Sequence, residues 1–241
     1  MFKELNVQVN NFEFDRDRFK IHLNNGKYIT DCLSKDADIS KYFNIAPFYE
    51  TIIDLDNNIK FSFNTALKYE TLSNKTFNPM HKQTDDELNE IYYIDNMIFR
   101  TFILWDLLAQ ICNIFWDTNL LSKDIYAFSF FNKLKDEHPM AEKIYCYFTE
   151  KENTEYNNES LKGNNGYVRD YRNRMTHRNS PNITTFSPDI QFRPPTKYIF
   201  VRVTEDYLKV RSFLNVILKE ISDCYSKDYI ISKLDLKELY N

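Results

Sequence analysis

Between Thr84 and Trp116 apolar side chains recur at steps of three and four: Leu88, Ile91, Ile94, Ile98, Phe102, Trp105, Leu108, Cys112 and Phe115. That is the period of one face of an α-helix. Thr84-Asp85-Asp86-Glu87 has the form of a capping box, and its acidic residues suit the positive end of a helix dipole. One long helix is therefore predicted to run to about Trp116. A helix of this length requires others to cover it, so the fold should be mainly α.

Breakers are scarce elsewhere: 3 glycines and 7 prolines in 241 residues leave room for further long elements, with 20 Phe and 17 Tyr to bury between them. Ser122 is placed to cap a second helix through KDIYAFSFFNKLKDE, and His138-Pro139 breaks it from a third, MAEKIYCYFTEK. Thr204-Glu205-Asp206 begins a last long helix, with Tyr207, Val210, Leu214, Ile217, Ile221 and Cys224 in steps of three and four. YIFVRV, just before it, reads as a short strand.

Residues 1–80 read differently. FKIHLNNGKYIT has the form of a hairpin around Asn25-Gly26, and IIDLDNNIKFSF that of a second extended pair. LSNKTFNPMHKQ marks a boundary, so the expected organisation is a small extended or β-containing appendage over residues 1–80 and a helical bundle over residues 81–241, within one or two domains.

The net charge of −4 argues against coating nucleic acid by bulk electrostatics, although a local basic site is compatible with it. Cys32, Cys112, Cys146 and Cys224 lie far apart with no clustered histidine, which gives no zinc or redox motif. MIFRTFILWDLLAQICNIFW is interrupted by Arg100, Asp106, Gln110 and Asn113, and the N-terminus has no apolar signal core. A cytoplasmic protein with no membrane span and no cofactor is expected.

The stretch GNNGYVRDYRNRMTHRNSP, residues 163–181, concentrates chemistry. Gly163 and Gly166 permit a tight entry into a helix starting near Tyr167. On that helix Tyr167, Val168, Tyr171 and Met175 share one side, while Arg169, Arg172, Asn173, Thr176 and His177 fill an opposite arc of roughly 140°. Asn173 and His177 are one turn apart, so the amide can fix the imidazole. A guanidinium, an amide and a group that titrates near neutral pH suit chemistry at a phosphodiester; the same arc also reads as the polar face of a surface helix.

Arg172-Asn173-Arg174-Met175-Thr176-His177 resembles the RNxxxH form of the Arg-x4-6-His signature of the HEPN superfamily. The resemblance covers this motif and the order of helices from about residue 84 to 226. It implies an up-and-down helical bundle and, in active members, a metal-independent endoribonuclease of toxin–antitoxin, phage-defence or RNA-processing systems. It further implies Arg172 and His177 as the catalytic pair, Asn173 as the polar residue after the arginine, and a homodimer in which two motifs face one cleft. RNA would be met by Arg169, Thr176 and Arg178, and an antitoxin is an expected partner.

Asp106, Gln110, Asn113 and Asp117 form a polar stripe on the long helix. The resemblance also implies an acidic or polar residue on a preceding helix near the motif, for which Asp106 is the choice, against the alternative of a solvent-facing stripe. His81 beside Asp85 and Asp86 reads as a helix start rather than a metal site, and Arg193, Lys197 and Arg202 as an extension of the phosphate surface or as solvated loop charges.

Overall fold

A computed structural model describes residues 2–21, 37–72, 77–153, 161–177, 180–185 and 190–233. The described chain is a helical bundle: α1 (Phe2–Asn10), α2 (Ala37–Leu72), α3 (Asp85–Phe115), α4 (Ala127–Leu134), α5 (Pro139–Phe148), α6 (Asn164–His177), α7 (Thr196–Cys224) and α8 (Lys227–Lys233). Among the described residues the sole β pairing is an isolated antiparallel bridge between Thr185 and Gln191.

α3 starts where its sequence says. Thr84 Oγ1 accepts from the Glu87 N–H at 3.3 Å and the Glu87 carboxylate accepts from the Thr84 N–H at 2.9 Å, which satisfies two donors that a helix start leaves without partners. Ile91, Ile94, Ile98, Trp105, Leu108 and Cys112 are buried. Among the described residues α3 is the one helix long and apolar enough to cross a membrane, but Ile94, Ile98, Leu104, Trp105 and Leu108 lie in the core, packed chiefly by α2 and α7, while Leu88, Phe99 and Ile103 are exposed.

The directions of the long helices follow from their contacts. Lys41 at the start of α2 pairs with Asp117 just beyond α3, and Tyr69 near its end stacks on Tyr93 near the start of α3, so the two are antiparallel. Thr196 donates to Glu90 and Phe115 packs on Tyr225, so α7 runs parallel to α3. Tyr167 packs against Tyr198 while Asn165 reaches Asp206, so α6 runs antiparallel to α7.

Two strand expectations are corrected. IIDLDNNIKFSF lies wholly inside the 36-residue α2, where Ile52, Asp56, Ile59, Phe63 and Ala66 are buried at helical spacing against α3 and α7. YIFVRV forms the first turns of α7, and Ile199, Phe200, Val201, Arg202 and Val203 are all buried because helices cover this segment on every side. A helix buried all round has no polar stripe, and its β-branched run then imitates a strand. The hairpin expected at Asn25-Gly26 lies outside the described residues.

Residues 2–21 and 37–72 also bury Leu5, Val9, Phe14, Phe19, Ile45, Tyr49 and Ile52 in the same core as the later helices. Arg211 on α7 donates to the carbonyl of Val9 at 3.0 Å, Tyr49 on α2 to that of Asp15 at 2.7 Å, and Arg18 to that of Leu218 at 2.9 Å. These bonds strap the N-terminal segment across α2 and α7.

Candidate active site on α6

α6 is fixed at its start by a polar network. Gly163 has φ +71°, and a Cβ there would fall 2.5 Å from the backbone nitrogen of Glu152. Only glycine meets both conditions without strain. Asn164 and Asn165, the two asparagines between the glycines, are buried. Asn164 Nδ2 donates to Glu205 at 2.8 Å and to the Leu161 carbonyl at 2.8 Å, while its Oδ1 accepts from Arg202 at 3.1 Å. Arg202 is fully buried and also donates to the carbonyls of Lys162 and Asn153, both at 2.8 Å.

Asp206, one residue beyond Glu205, accepts from Tyr147 Oη at 2.8 Å, Trp105 Nε1 at 3.2 Å and Asn165 Nδ2 at 3.3 Å. Burial pushes its carboxyl up to about 6, against these three donors, which favour the ionised form. The result ties α6, α5 and α3 to one carboxylate of α7. Arg202 is therefore an anchor and not part of a phosphate surface. Arg193 is also buried, 3.8 Å from Glu87 and stacked on Phe77, so it too is removed from that surface.

Beyond the anchor, the helix divides as its sequence implies. Val168 and Tyr171 are buried, and Tyr167 and Met175 pack on the core. On the opposite arc, Arg172 lies half-buried with its guanidinium carbon 5.1 Å from the ring centre of Phe102 on α3. Its Nη1 is 3.3 Å from Asn173 Oδ1, and its Nε finds no hydrogen-bond partner among the described residues. Asn173 is exposed. Arg169, three residues earlier, lies 4.5 Å over the ring of Phe128 on α4.

Thr176 is exposed, and its hydroxyl bonds back to the carbonyls of Arg172 at 3.1 Å and Asn173 at 3.3 Å. His177 closes α6 one turn beyond Asn173; its imidazole, and Arg178 as a whole, lie outside the described residues.

The structure brings Asp106 to this face. Its Oδ1 accepts the Ala127 N–H at 2.9 Å, holding the first residue of α4 against α3. Burial raises its pKa, while the Ala127 bond and the nearby Arg172 charge act in the opposite direction. The rest of the stripe is structural and does not simply face solvent. Gln110 donates to the Ser122 carbonyl at 2.9 Å, Asn113 bonds both the N–H and the carbonyl of Leu120, and Asp117 pairs with Lys41. The first two fold the α3–α4 connection back onto α3 and the third ties it to α2; Asp117 and Asn119 there adopt left-handed φ values of 56° and 52°.

Of the other histidines, His81 is 3.2 Å from Asn78, and His138 stacks on Trp116 with ring centres 4.4 Å apart. Among the described residues no three His, Cys, Asp or Glu side chains converge in a way that would hold a metal ion. Sequence reasoning missed the Asn164–Arg202–Glu205 and Asn165–Asp206–Tyr147–Trp105 groups. The legible signal was the pair of asparagines between two glycines; their partners lie about forty residues away in the chain.

Comparison with protein-family models, with curated proteins and with solved structures found no match for this chain.

Proposed function

We propose that this chain is a HEPN-like, metal-independent endoribonuclease that cleaves RNA by attack of a ribose 2′-hydroxyl on the adjacent phosphate. The observation that carries this reading is the Arg172–Asn173 pair: a guanidinium laid on Phe102 and joined to an exposed amide, with Asp106 nearby. His177 follows one turn later on the same helix.

Arg172 binds the scissile phosphate and stabilises the charge that accumulates on its oxygens. The 2′-oxygen loses its proton and bonds to phosphorus, the 5′-oxygen leaves and takes up a proton, and the products are a 2′,3′-cyclic phosphate and a 5′-hydroxyl. His177 serves in proton transfer. One motif supplies one histidine for two proton transfers, so a homodimer with two motifs on one cleft completes the chemistry. Asn173 holds the arginine in place, and Arg169, Thr176 and Arg178 contact the strand. A cytoplasmic toxin held by an antitoxin, or a phage-defence nuclease, is the setting that this activity fits.

A second reading, a non-catalytic HEPN-like module for binding or dimerisation, is favoured by one feature: Arg172 already has internal partners in Asn173 and Phe102. RNA cleavage in EDTA separates the two. His177→Ala should lose about 10²- to 10⁴-fold in rate, as removal of a general acid–base does. Arg172→Ala should lose about 10²- to 10³-fold. Cleavage by folded His177→Ala at the wild-type rate would exclude the proposed chemistry.

A further inference from the structure

One side of α3 is left open to solvent. Leu88 is 48% exposed, Tyr92 62%, Phe99 38% and Ile103 45%. They recur at steps of four, seven and four, the spacing by which one helix seats itself along another. Beside them Phe61 of α2, 63% exposed, packs edge-on against Tyr93, which in turn meets Tyr92. Asn96 fills the step between Tyr92 and Phe99, and its amide is engaged within the helix: Nδ2 donates to the Tyr92 carbonyl at 2.8 Å, and Oδ1 accepts from Arg100 at 2.9 Å. The row can therefore be covered without stranding that amide.

Single exposed apolar residues are ordinary, but a row of them along about four turns is not. With Phe61, the row offers roughly 500 Å² of exposed side chain. A standard interface covers about 800 Å² of each partner, about 65% of it apolar in homodimers, so the row supplies the apolar area that such a face needs.

The order of the residues says which partner fits. About the midpoint between Met97 and Ile98, Tyr92 exchanges with Ile103, Asn96 with Phe99, and Leu88 with Leu107, a partly buried residue at the edge of the same face. A copy laid antiparallel sets each ring opposite a smaller side chain, as a self-complementary two-fold interface requires. Asp85, Asp86 and Glu87 at the head of the row are repelled by an anionic lipid surface, so the row does not suit a membrane.

We infer that a second copy of this chain docks antiparallel along this row of α3. α6 runs along one edge of the row, with Arg172 on Phe102, and α2 along the other, with Tyr69 on Tyr93. A two-fold axis perpendicular to both α3 helices sets each edge against its own counterpart, so both α6 helices fall on the same side of the pair. The two Arg172 groups then open on one cleft, whereas a parallel pair would put them on opposite sides. The pairing stands on the uncovered row; the joint cleft rests on the ribonuclease reading of Arg172, in which one chain supplies one motif histidine for two proton transfers.

Sedimentation velocity of the full chain should show a dimer at about 10 µM, since interfaces of this size bind at micromolar concentrations or better. Ile103→Glu and Phe99→Glu should each raise the dissociation constant at least about 30-fold, the loss expected at the centre of an interface. Val216→Glu, at an exposed site on α7, should leave it unchanged. Matched circular dichroism shows that the variants are folded. With Cys32, Cys146 and Cys224 changed to serine, oxidation of mixed Tyr92→Cys and Ile103→Cys chains should cross-link one to the other. Tyr92→Cys alone should not cross-link, because an antiparallel pair holds its two copies about 16 Å apart.

A wild-type chain that stays monomeric would overturn the interface. So would a dimer indifferent to both glutamate variants, cross-linking of Tyr92→Cys to itself, or a monomer that binds lipid vesicles through Phe99 and Ile103. None of these assays contains RNA, which separates the two readings. A dimer of this form that leaves RNA intact rejects the ribonuclease and keeps the interface; a monomer that cleaves RNA does the reverse.

Discussion

Replacing Gly163 with alanine tests how α6 is set in place. The backbone there has φ +71°, and an added Cβ would meet the nitrogen of Glu152 at 2.5 Å, its Cα at 2.6 Å and the carbonyl carbon of Lys151 at 2.9 Å. These are backbone atoms, so no side-chain rotation relieves the contact. A left-handed conformation costs a residue with a Cβ about 1–2 kcal/mol. Forcing atoms into a packed site costs about 1–3 kcal/mol more. The expected loss is therefore about 2–5 kcal/mol, read as a lower urea midpoint by far-ultraviolet circular dichroism at unchanged slope.

Gly166 is the internal control. It lies in the first turn of α6, and a Cβ there would meet nothing within 4 Å. Gly166→Ala should stabilise the protein by about 0.5–1 kcal/mol, because alanine loses less backbone freedom on forming a helix. Gly163→Asn divides the first effect: asparagine tolerates the left-handed region but keeps the Cβ contact, so it should remain destabilised by about 1–3 kcal/mol. If Gly163→Ala matched the wild type, or Gly166→Ala lost as much as Gly163→Ala, the account of the helix entry would be wrong.

Burial raises Glu90 and Asp95 to about 7 and Asp206 to about 6, so the folded chain holds protons that the unfolded chain has released. Their contribution is complete below the ordinary carboxylate range and is lost as pH rises through about 6–7, which makes the protein more stable by about 1–3 kcal/mol at about pH 6 than at about pH 8. Thermal melts across this range should show it, and Glu90→Gln with Asp95→Asn should flatten the slope; a melting temperature that rises with pH contradicts the assignment. Arg202→Met removes a buried cation from Glu205, Asn164 and the carbonyls of Lys162 and Asn153, and should cost about 3–5 kcal/mol. Amide exchange should accelerate first at Gly163–Tyr167, and protection there equal to wild type would count against Arg202 as the anchor of α6.

Much of this architecture was legible along the chain. The start of α3 is carried by four consecutive residues, Thr84 to Glu87, and its course by a repeat that requires nothing from the rest of the molecule. The two faces of α6 were legible too, since a 14-residue helix with one buried side obeys its own period. α2 was misread because IIDLDNNIKFSF alternates apolar and polar residues while also placing Ile52, Asp56, Ile59 and Phe63 at helical steps. One of those buried positions, Asp56, is polar, and it is held inside by Lys60 one turn on, at 2.7 Å, and by a hydrogen bond from Tyr207, 151 residues away.

The chain by itself determined a mainly helical protein with a long central helix, and an Arg172–Asn173–His177 constellation on one helix, because helix starts, periods and faces are properties of neighbours in sequence. Only the tertiary structure decided that Arg202 is an internal anchor, that Asp206 gathers Trp105, Tyr147 and Asn165, and that Arg172 and Arg169 lie on Phe102 and Phe128. A charge written in a sequence carries no record of whether water or a distant side chain will solvate it. That is settled when helices far apart in the chain close over the same few ångströms.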